Sequence, residues 1–243
     1  MTIDNATLST IKAHRSIRQY SDKPISSEKL THIILAAQSA SSSSFMQCSS
    51  IIRITDQNIR SQFVTLTNNQ QHVGKSPEFL IFCVDFYKHK VIVPEAKLGF
   101  VELTLTGAID AGIMAQNALL AAESMGIGGV YIGAIRNNPD AVSQLLDLPE
   151  QVFPLFGLCL GYPAEQPERK PRLPISIVLH ENSYHDLDKT VITEYDKIVK
   201  AYYKKRTKNK KSVSWSDTLA EKLSKESRPL MLESLRKKGL SLY

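Results

Sequence analysis

The chain has 243 residues, of which 42% are hydrophobic and 22% charged, an ordinary soluble globular composition that lets a unit of this length bury roughly 70–75% of its extended-chain surface. Met1 to Arg18 hold no apolar run suited to a signal peptide, no uncharged apolar stretch is long enough to span a membrane, and three distant cysteines (Cys48, Cys83 and Cys159) fit no disulfide framework, so a reducing cytoplasmic setting is expected. The net charge of +6 is unevenly placed: between Lys197 and Lys211 stand eight lysines and arginines with no acid, the pattern of a solvated helix end or of an anion site.

Around Asn5 to Ala13, Leu8 and Ile11 share one face of a short helix. Leu30, Ile33, Ile34 and Ala37 then follow the i, i+3, i+4, i+7 spacing of an amphipathic helix, with Ser27 placed to cap it. A serine-rich stretch, Ser39 to Ser44, leads into Phe45-Met46-Gln47 and by itself reads as a solvated loop. Four strands are predicted next, over 50–55, 79–86, 129–135 and 155–161. Phe79 to Val84 is apolar without alternation, so both faces of that strand should be covered by helices.

Between the second and third strands, Leu103 to Met125 carries no lysine or arginine and is apolar around nearly its whole circumference. Such a helix is buried in a core or against a partner chain, and both readings fit. Asp110 and Glu123 argue against a membrane span. Gly107, Ala108, Ala111, Gly112 and Ala115 would permit close helix approach. Beyond Gly161 the chain becomes polar. Lys170-Pro171-Arg172-Leu173-Pro174 should be extended, because each proline restricts the residue before it. Helices are predicted over 190–205, 215–225 and 230–238, and Ser214 with Asp217 resembles a capping box for the second. These helices are too polar to form a core of their own. The chain therefore reads as one domain over 1–243, with 175–243 as a C-terminal extension.

Gly126-Ile127-Gly128-Gly129-Val130-Tyr131 has tyrosine where a dinucleotide fingerprint needs its third glycine. It also runs helix to strand, the reverse of the order that aims a helix N-terminus at pyrophosphate. No Walker sequence, metal-type histidine pair, paired-cysteine zinc pattern or nucleophile elbow is present. Residue chemistry alone thus gives a helix-and-sheet protein with basic clusters and no obvious nucleophile.

Several segments taken in order carry a more specific message. His14-Arg15-Ser16-Ile17-Arg18, Ser41-Ser42-Ser43-Ser44-Phe45, the apolar helix, Gly128 to Gly133, Leu155 to Gly161, Lys170-Pro171-Arg172, His180-Glu181-Asn182 and Glu226-Ser227-Arg228-Pro229 together span essentially the whole chain. In this combination the sequence resembles the bacterial nitroreductase superfamily, in particular its oxygen-insensitive NADPH nitroreductases and NADPH–flavin oxidoreductases. The resemblance implies an α+β fold of three α-β-α layers around a mixed, mainly antiparallel sheet. It also implies an interlocked homodimer that exchanges C-terminal segments and binds FMN at its interface.

Matched position by position, the resemblance places His14, Arg15, Ser16, Ile17 and Arg18 around the FMN phosphate and ribityl chain, where a phosphate dianion needs permanent cations and short donors. Lys170, Pro171 and Arg172 supply a second basic segment, whose charge would tune the flavin. Ser42, Ser44 and Gln70 fall at further FMN positions, and Tyr131, Ile132, Gly133 and Ala134 lie along the isoalloxazine. Ala134 stands where close relatives commonly have glycine. For NADPH or acceptor the implied residues are Ser44, Phe45, Arg136, the loop Arg206-Thr207-Lys208-Asn209-Lys210-Lys211, Lys225 and Arg228. Arg206 matches the position that favours the 2′-phosphate, and Lys211 keeps charge without a bidentate fork.

The implied activity is ping-pong: NADPH reduces the flavin, and a nitroaromatic or quinone then takes two electrons in the same cleft, with no dedicated acid or base required. A flavin reductase that releases reduced FMN would share the same motifs. A flavoprotein that stores or senses FMN without turnover would also share them. Nucleic-acid binding through 197–211 is the remote reading, since no aromatic stacking platform was expected beside that run; no metal is implied.

Overall fold

The computed structural model describes residues 5–206 and 210–243. They form two compact units: one runs to Pro167 and resumes at Arg228, the other is Glu168–Ser227.

The first unit opens with α1 (Ala6–Ala13) and α2 (Ser27–Gln38). The cap of α2 is Ser26, one residue earlier than expected: its hydroxyl accepts from the Lys29 N–H at 3.3 Å, and Ser27 is already helical. There follow β1 (Ser49–Arg53), α3 (Gln57–Leu66), α4 (Gln71–Lys75), β2 (Glu78–Asp85), α5 (Tyr87–Ile92), α6 (Val101–Ser124), β3 (Gly128–Ile132), α7 (Pro139–Leu145) and β4 (Val152–Gly161). The sheet order is β1-β2-β4-β3, and among the described residues every pairing is antiparallel. The third strand stops at Ile132, short of the predicted 135. Gly133–Asn137 instead winds into a 3-10 turn, because Ile132 and Ile135 are buried three residues apart, a helical and not a strand spacing.

Strand β2 is buried on both faces, as its unalternating sequence predicts. Leu80 and Phe82, with Leu158 and Leu160 of β4, meet Ile33 and Ala37 of α2 and Ala115, Ala118, Leu119 and Ala122 of α6. Phe79, Ile81 and Cys83 turn the other way, onto Phe63 of α3, Val73 of α4, Ile135 and Val142 of α7. The result is three layers, helix on sheet on helix. All three cysteines are buried and unbonded.

Helix α6 resolves its own ambiguity by having two different sides. Gly107, Ala111, Ala115, Ala118 and Ala122 are buried. Gly107 approaches β2 so closely that a Cβ there would stand 2.2 Å from a methyl of Val84. On the opposite side, Leu105, Ile109 and Ile113, four residues apart, are 54%, 60% and 41% exposed.

The second unit holds α8 (Ile175–Val178), an extra turn not expected from the proline spacing, then α9 (Lys189–Lys205) and α10 (Trp215–Leu223). The capping box of α10 is complete, with Ser214 and Asp217 each bonded to the other's backbone N–H. Only Tyr195 and Val199 of α9 and no residue of α10 are buried, in keeping with helices that lack a core of their own. Among the described residues no helix is long and apolar enough to cross a membrane.

Gly107→Ala tests the close approach of α6. The added methyl has only Val84 and Phe86 to displace, so the variant should lose about 1–3 kcal/mol, read as a lower urea midpoint. An unchanged midpoint would mean that α6 can lift from the sheet without cost.

Candidate functional site

The segment His14 to Arg18 leaves α1 and is fixed to the sheet edge by Ile17, whose N–H donates to Gly129 O at 3.0 Å and whose side chain fills the space beside Gly128. Its cations are not used alike. His14 Nδ1 meets the Glu123 carboxylate of α6 at 2.6 Å. Arg15 donates to backbone carbonyls, Ala13 O at 3.2 Å and Pro167 O at 3.1 Å. It also lines an open cavity of about 950 Å³ that carries Glu123 and Glu165. Arg18 is exposed, and only its backbone N–H is engaged, donating to Glu165 at 2.7 Å. Its guanidinium makes no hydrogen bond or ion pair among the described residues.

Opposite Arg18 is a residue that the sequence did not single out. The Nε2 atom of His72, on α4, is buried without a hydrogen-bond partner. Burial first, and then the Arg18 charge, hold its imidazole below the ordinary histidine pKa. Gln70 stands two residues earlier as the half-buried N-cap of the same helix. Arg18 thus lies within electrostatic reach of His72, Gln70 caps the helix that carries His72, Ser16 is half-buried two residues before Arg18, and Arg15 is engaged by backbone carbonyls.

The serine stretch is not freely solvated. Ser42 and Ser43 are tied to Asp110 of α6, and Phe45 is left 81% exposed at its tip. Farther along the sheet, Tyr131 stacks edge-on against Phe156 and points its hydroxyl at Gln116 of α6, 3.4 Å away. Burial, and then the Glu123 charge, push that hydroxyl up to about 12, so it keeps its proton at neutral pH.

Beyond Tyr131 the chain turns at Gly133, and two arginines converge on it. Arg228 donates to Gly133 O at 3.1 Å and leaves its Nε buried without a partner. Arg136 donates to Leu155 O. Its pKa lies below the ordinary arginine value through burial and through the neighbouring Arg228 charge. A Cβ at Gly133 would meet both guanidiniums, at 3.5 and 3.8 Å. Neither arginine has an ion pair among the described residues, so two positive charges stand side by side with only backbone carbonyls as partners. Arg136 and Arg228, distant in sequence, act here as one feature.

In the second unit, Lys170 and Arg206 gather on one ring. Lys170 Nζ lies 5.6 Å from the Tyr203 centroid and the Arg206 guanidinium 5.8 Å, with Tyr202 at 5.9 Å. Aromatic rings therefore do accompany the basic run, contrary to expectation, but Lys170 and Arg206 cover them. Pro171 O accepts from the Tyr195 hydroxyl at 3.1 Å, and Arg172 folds back to Lys170 O at 3.4 Å. Lys210, Lys211 and Lys225 are exposed. Thr207, Lys208 and Asn209 lie outside the described residues.

The scaffold is a mixed helix-and-sheet fold that leaves the Arg18 guanidinium without a partner among the described residues and the Arg228 Nε buried and unsatisfied. Residues 11–162 match the nitroreductase family, and residues 170–243 match the nitroreductase family C-terminal domain. The oxygen-insensitive NADPH nitroreductase of Salmonella typhimurium is 51% identical over 96% of this chain and 97% of its own length. The crystal structure of nitroreductase A from Vibrio parahaemolyticus superposes with a TM-score of 0.95 at 48% identity, covering 99% of this chain and 100% of that one. The NADPH:FMN oxidoreductase of Vibrio harveyi, solved with NAD+, gives 0.93 at 48% identity over 98% and 100%. The chain belongs to the nitroreductase family, and it is an oxidoreductase.

Proposed function

We propose that this chain is an FMN-dependent NADPH oxidoreductase that reduces nitroaromatics and quinones by two electrons, working as a homodimer in the cytoplasm. The observation that carries this reading is the Arg18 guanidinium, without a partner of its own, beside the orphaned Nε2 of His72. A phosphate monoester would satisfy both, and its charge would offset the repulsion that now lowers the histidine's proton affinity. Ser16 and Gln70 add neutral donors, so the residues present fit the phosphate end of FMN. Tyr131 to Ala134 border the flavin ring, with Ser42, Ser44 and Phe45 facing the substrate space. In the second unit, Lys170 and Arg172 offer the flavin its positive charge, Pro171 keeps them extended, and Arg206 with Lys210 and Lys211 receives the 2′-phosphate of NADPH.

FMN, when bound, would supply the two-electron redox chemistry that links NADPH to the acceptor. The protein's part is electrostatic. Arg136 and Arg228 hold anionic groups of nucleotide or acceptor at the Gly133 turn, and Lys225 adds charge nearby in sequence. Protons come from solvent, consistent with a tyrosine hydroxyl at Tyr131 that is a weak acid. The exposed row Leu105, Ile109 and Ile113 on α6 supports pairing with a second copy, since an apolar stripe of this kind is stable only when covered. The C-terminal unit, poor in core residues, suits an arm exchanged between subunits. Three unbonded cysteines suit a reducing compartment. A second reading keeps the same site but releases reduced FMN as product, and the likeness to an NADPH:FMN oxidoreductase favours it.

The purified protein should be yellow, should have dimer mass by light scattering, and should be bleached by NADPH without oxygen. A quinone or nitroaromatic should restore the colour faster than free FMN does. The reverse order of rates would favour the flavin-releasing reading, and a colourless protein that refuses added FMN would defeat both.

Arg18→Ala should weaken FMN binding by about tenfold or more, the loss of one charge-assisted contact, as measured by flavin fluorescence quenching. Undiminished affinity would remove Arg18 from the phosphate site. Arg206→Ala should raise KM for NADPH by roughly the same factor and leave KM for NADH nearly unchanged, whereas equal effects on both nucleotides would deny it the 2′-phosphate.

A further inference from the structure

Asp110 is buried in the middle of α6, 5% exposed, on a helix whose other core-facing residues are almost all apolar. Three donors converge on its carboxylate. The Ser42 hydroxyl donates to Oδ2 at 2.7 Å, the Ser43 N–H donates to Oδ1 at 3.1 Å, and the Cys48 thiol stands 3.5 Å from Oδ2. Ser42 Oγ in turn accepts from the Gln47 N–H at 2.6 Å, closing the loop on itself. On the far side, His89 Nε2 meets Met46 O at 2.6 Å.

The backbone held in this way is an unfavourable one. Ser44, Phe45 and Gln47 have φ of 49°, 58° and 52°, and no glycine lies between Ser41 and Gln47 to relieve the cost. Left-handed backbone at three non-glycine residues out of four persists only where surrounding bonds over-determine it. Here the bonds from Ser42 and Ser43 end on a single carboxylate, while His89 holds Met46 O from the other side. A small cavity of about 130 Å³, lined by Ser41, Ser42, Gln47, Lys88, Asp110 and Met114, lies behind the loop, so the packing there is incomplete. The loop's product is the outward projection of Phe45, an aromatic ring held in solvent.

We infer that Asp110 is the positioning residue of the serine loop: its carboxylate fixes the left-handed turn from Ser42 to Gln47 and so sets where Ser44 and Phe45 meet flavin and acceptor. The second half of this statement rests on the flavin-dependent reading above; the first half does not. A carboxylate accepts from Ser42 and Ser43 at once, whereas an amide accepts through one atom only and would need the Ser42 hydroxyl to reverse its role.

The test is hydrogen exchange on the full-length protein as purified. Asp110→Asn should speed exchange of the Ser43 and Gln47 amides by about tenfold or more, since both are protected through this carboxylate. It should also raise KM for a quinone acceptor severalfold. Gln47→Gly in the Asp110→Asn background should recover part of both losses, because glycine adopts positive φ without strain; a carboxylate acting only through its charge on the flavin would not be rescued in this way. If Asp110→Asn fails to fold, Ser42→Ala, at the half-exposed loop, should speed exchange of the Gln47 amide in the same manner. Unchanged exchange in a folded Asp110→Asn protein would overturn the inference. So would altered KM with unaltered exchange. Failure of the wild-type protein to bind FMN would instead count against the function, leaving the exchange result readable by itself.

Discussion

Helix α6 lies against β2 at a separation that only a glycine tolerates, with Gly107 over Val84 and a row of alanines continuing the contact toward Ala122. That fixed register matters because the same helix carries three polar side chains that each hold a different piece of the site. Asp110 takes the serine loop, Gln116 faces the Tyr131 hydroxyl, and Glu123 takes His14. They recur every six or seven residues, close to two helical turns. A shift of α6 by one residue along its axis would move all three anchors by about 1.5 Å and uncouple the loops together. The site is therefore assembled from loops but dimensioned by one helix.

The cations divide into those the protein satisfies and those it leaves for something else. Arg60 is buried, yet its guanidinium reaches Ile54 O, Val73 O and Ser76 O and lies over the Phe79 ring. Arg53 forms a two-pronged pair with Glu78 at 2.6 and 2.7 Å. Arg15 is occupied by backbone carbonyls. Against this background Arg18 stands out, since its guanidinium has no acceptor among the described residues, while Arg136 and Arg228 each reach one backbone carbonyl and have no carboxylate partner. Leaving a guanidinium Nε and an imidazole nitrogen buried without partners costs free energy, a cost that the proposed anionic ligand would offset.

Much of the architecture was legible in the sequence. The unalternating run Phe79 to Val84 marks a strand covered on both sides, and the spacing of Leu30, Ile33 and Ala37 marks α2, because both signals come from burial alone. The end of β3 was misread because Ile132 and Ile135 are both apolar, and only the turn at Gly133 reveals a helical phase. Arg18 and Arg228 came through the family resemblance, not through any local pattern. His72 and the pairing of Arg136 with Arg228 were missed, since neither has a sequence signature; they follow from chain segments meeting in space. Asp110 did leave a trace, a lone acid inside an apolar helix. Its meaning lay sixty-eight residues away at Ser42, beyond the reach of periodicity.

The three cysteines carry a consequence for the chemistry the protein handles. Burial pushes the thiols of Cys48, Cys83 and Cys159 up to about 12, helped at Cys48 by the adjacent Asp110 charge. At neutral pH all three thiols therefore keep their protons, and the reactive thiolate form is suppressed. Quinones and partly reduced nitroaromatics are electrophiles that alkylate exposed sulfur. None of the three thiols is exposed in this fold, so that route to self-modification is closed to all of them.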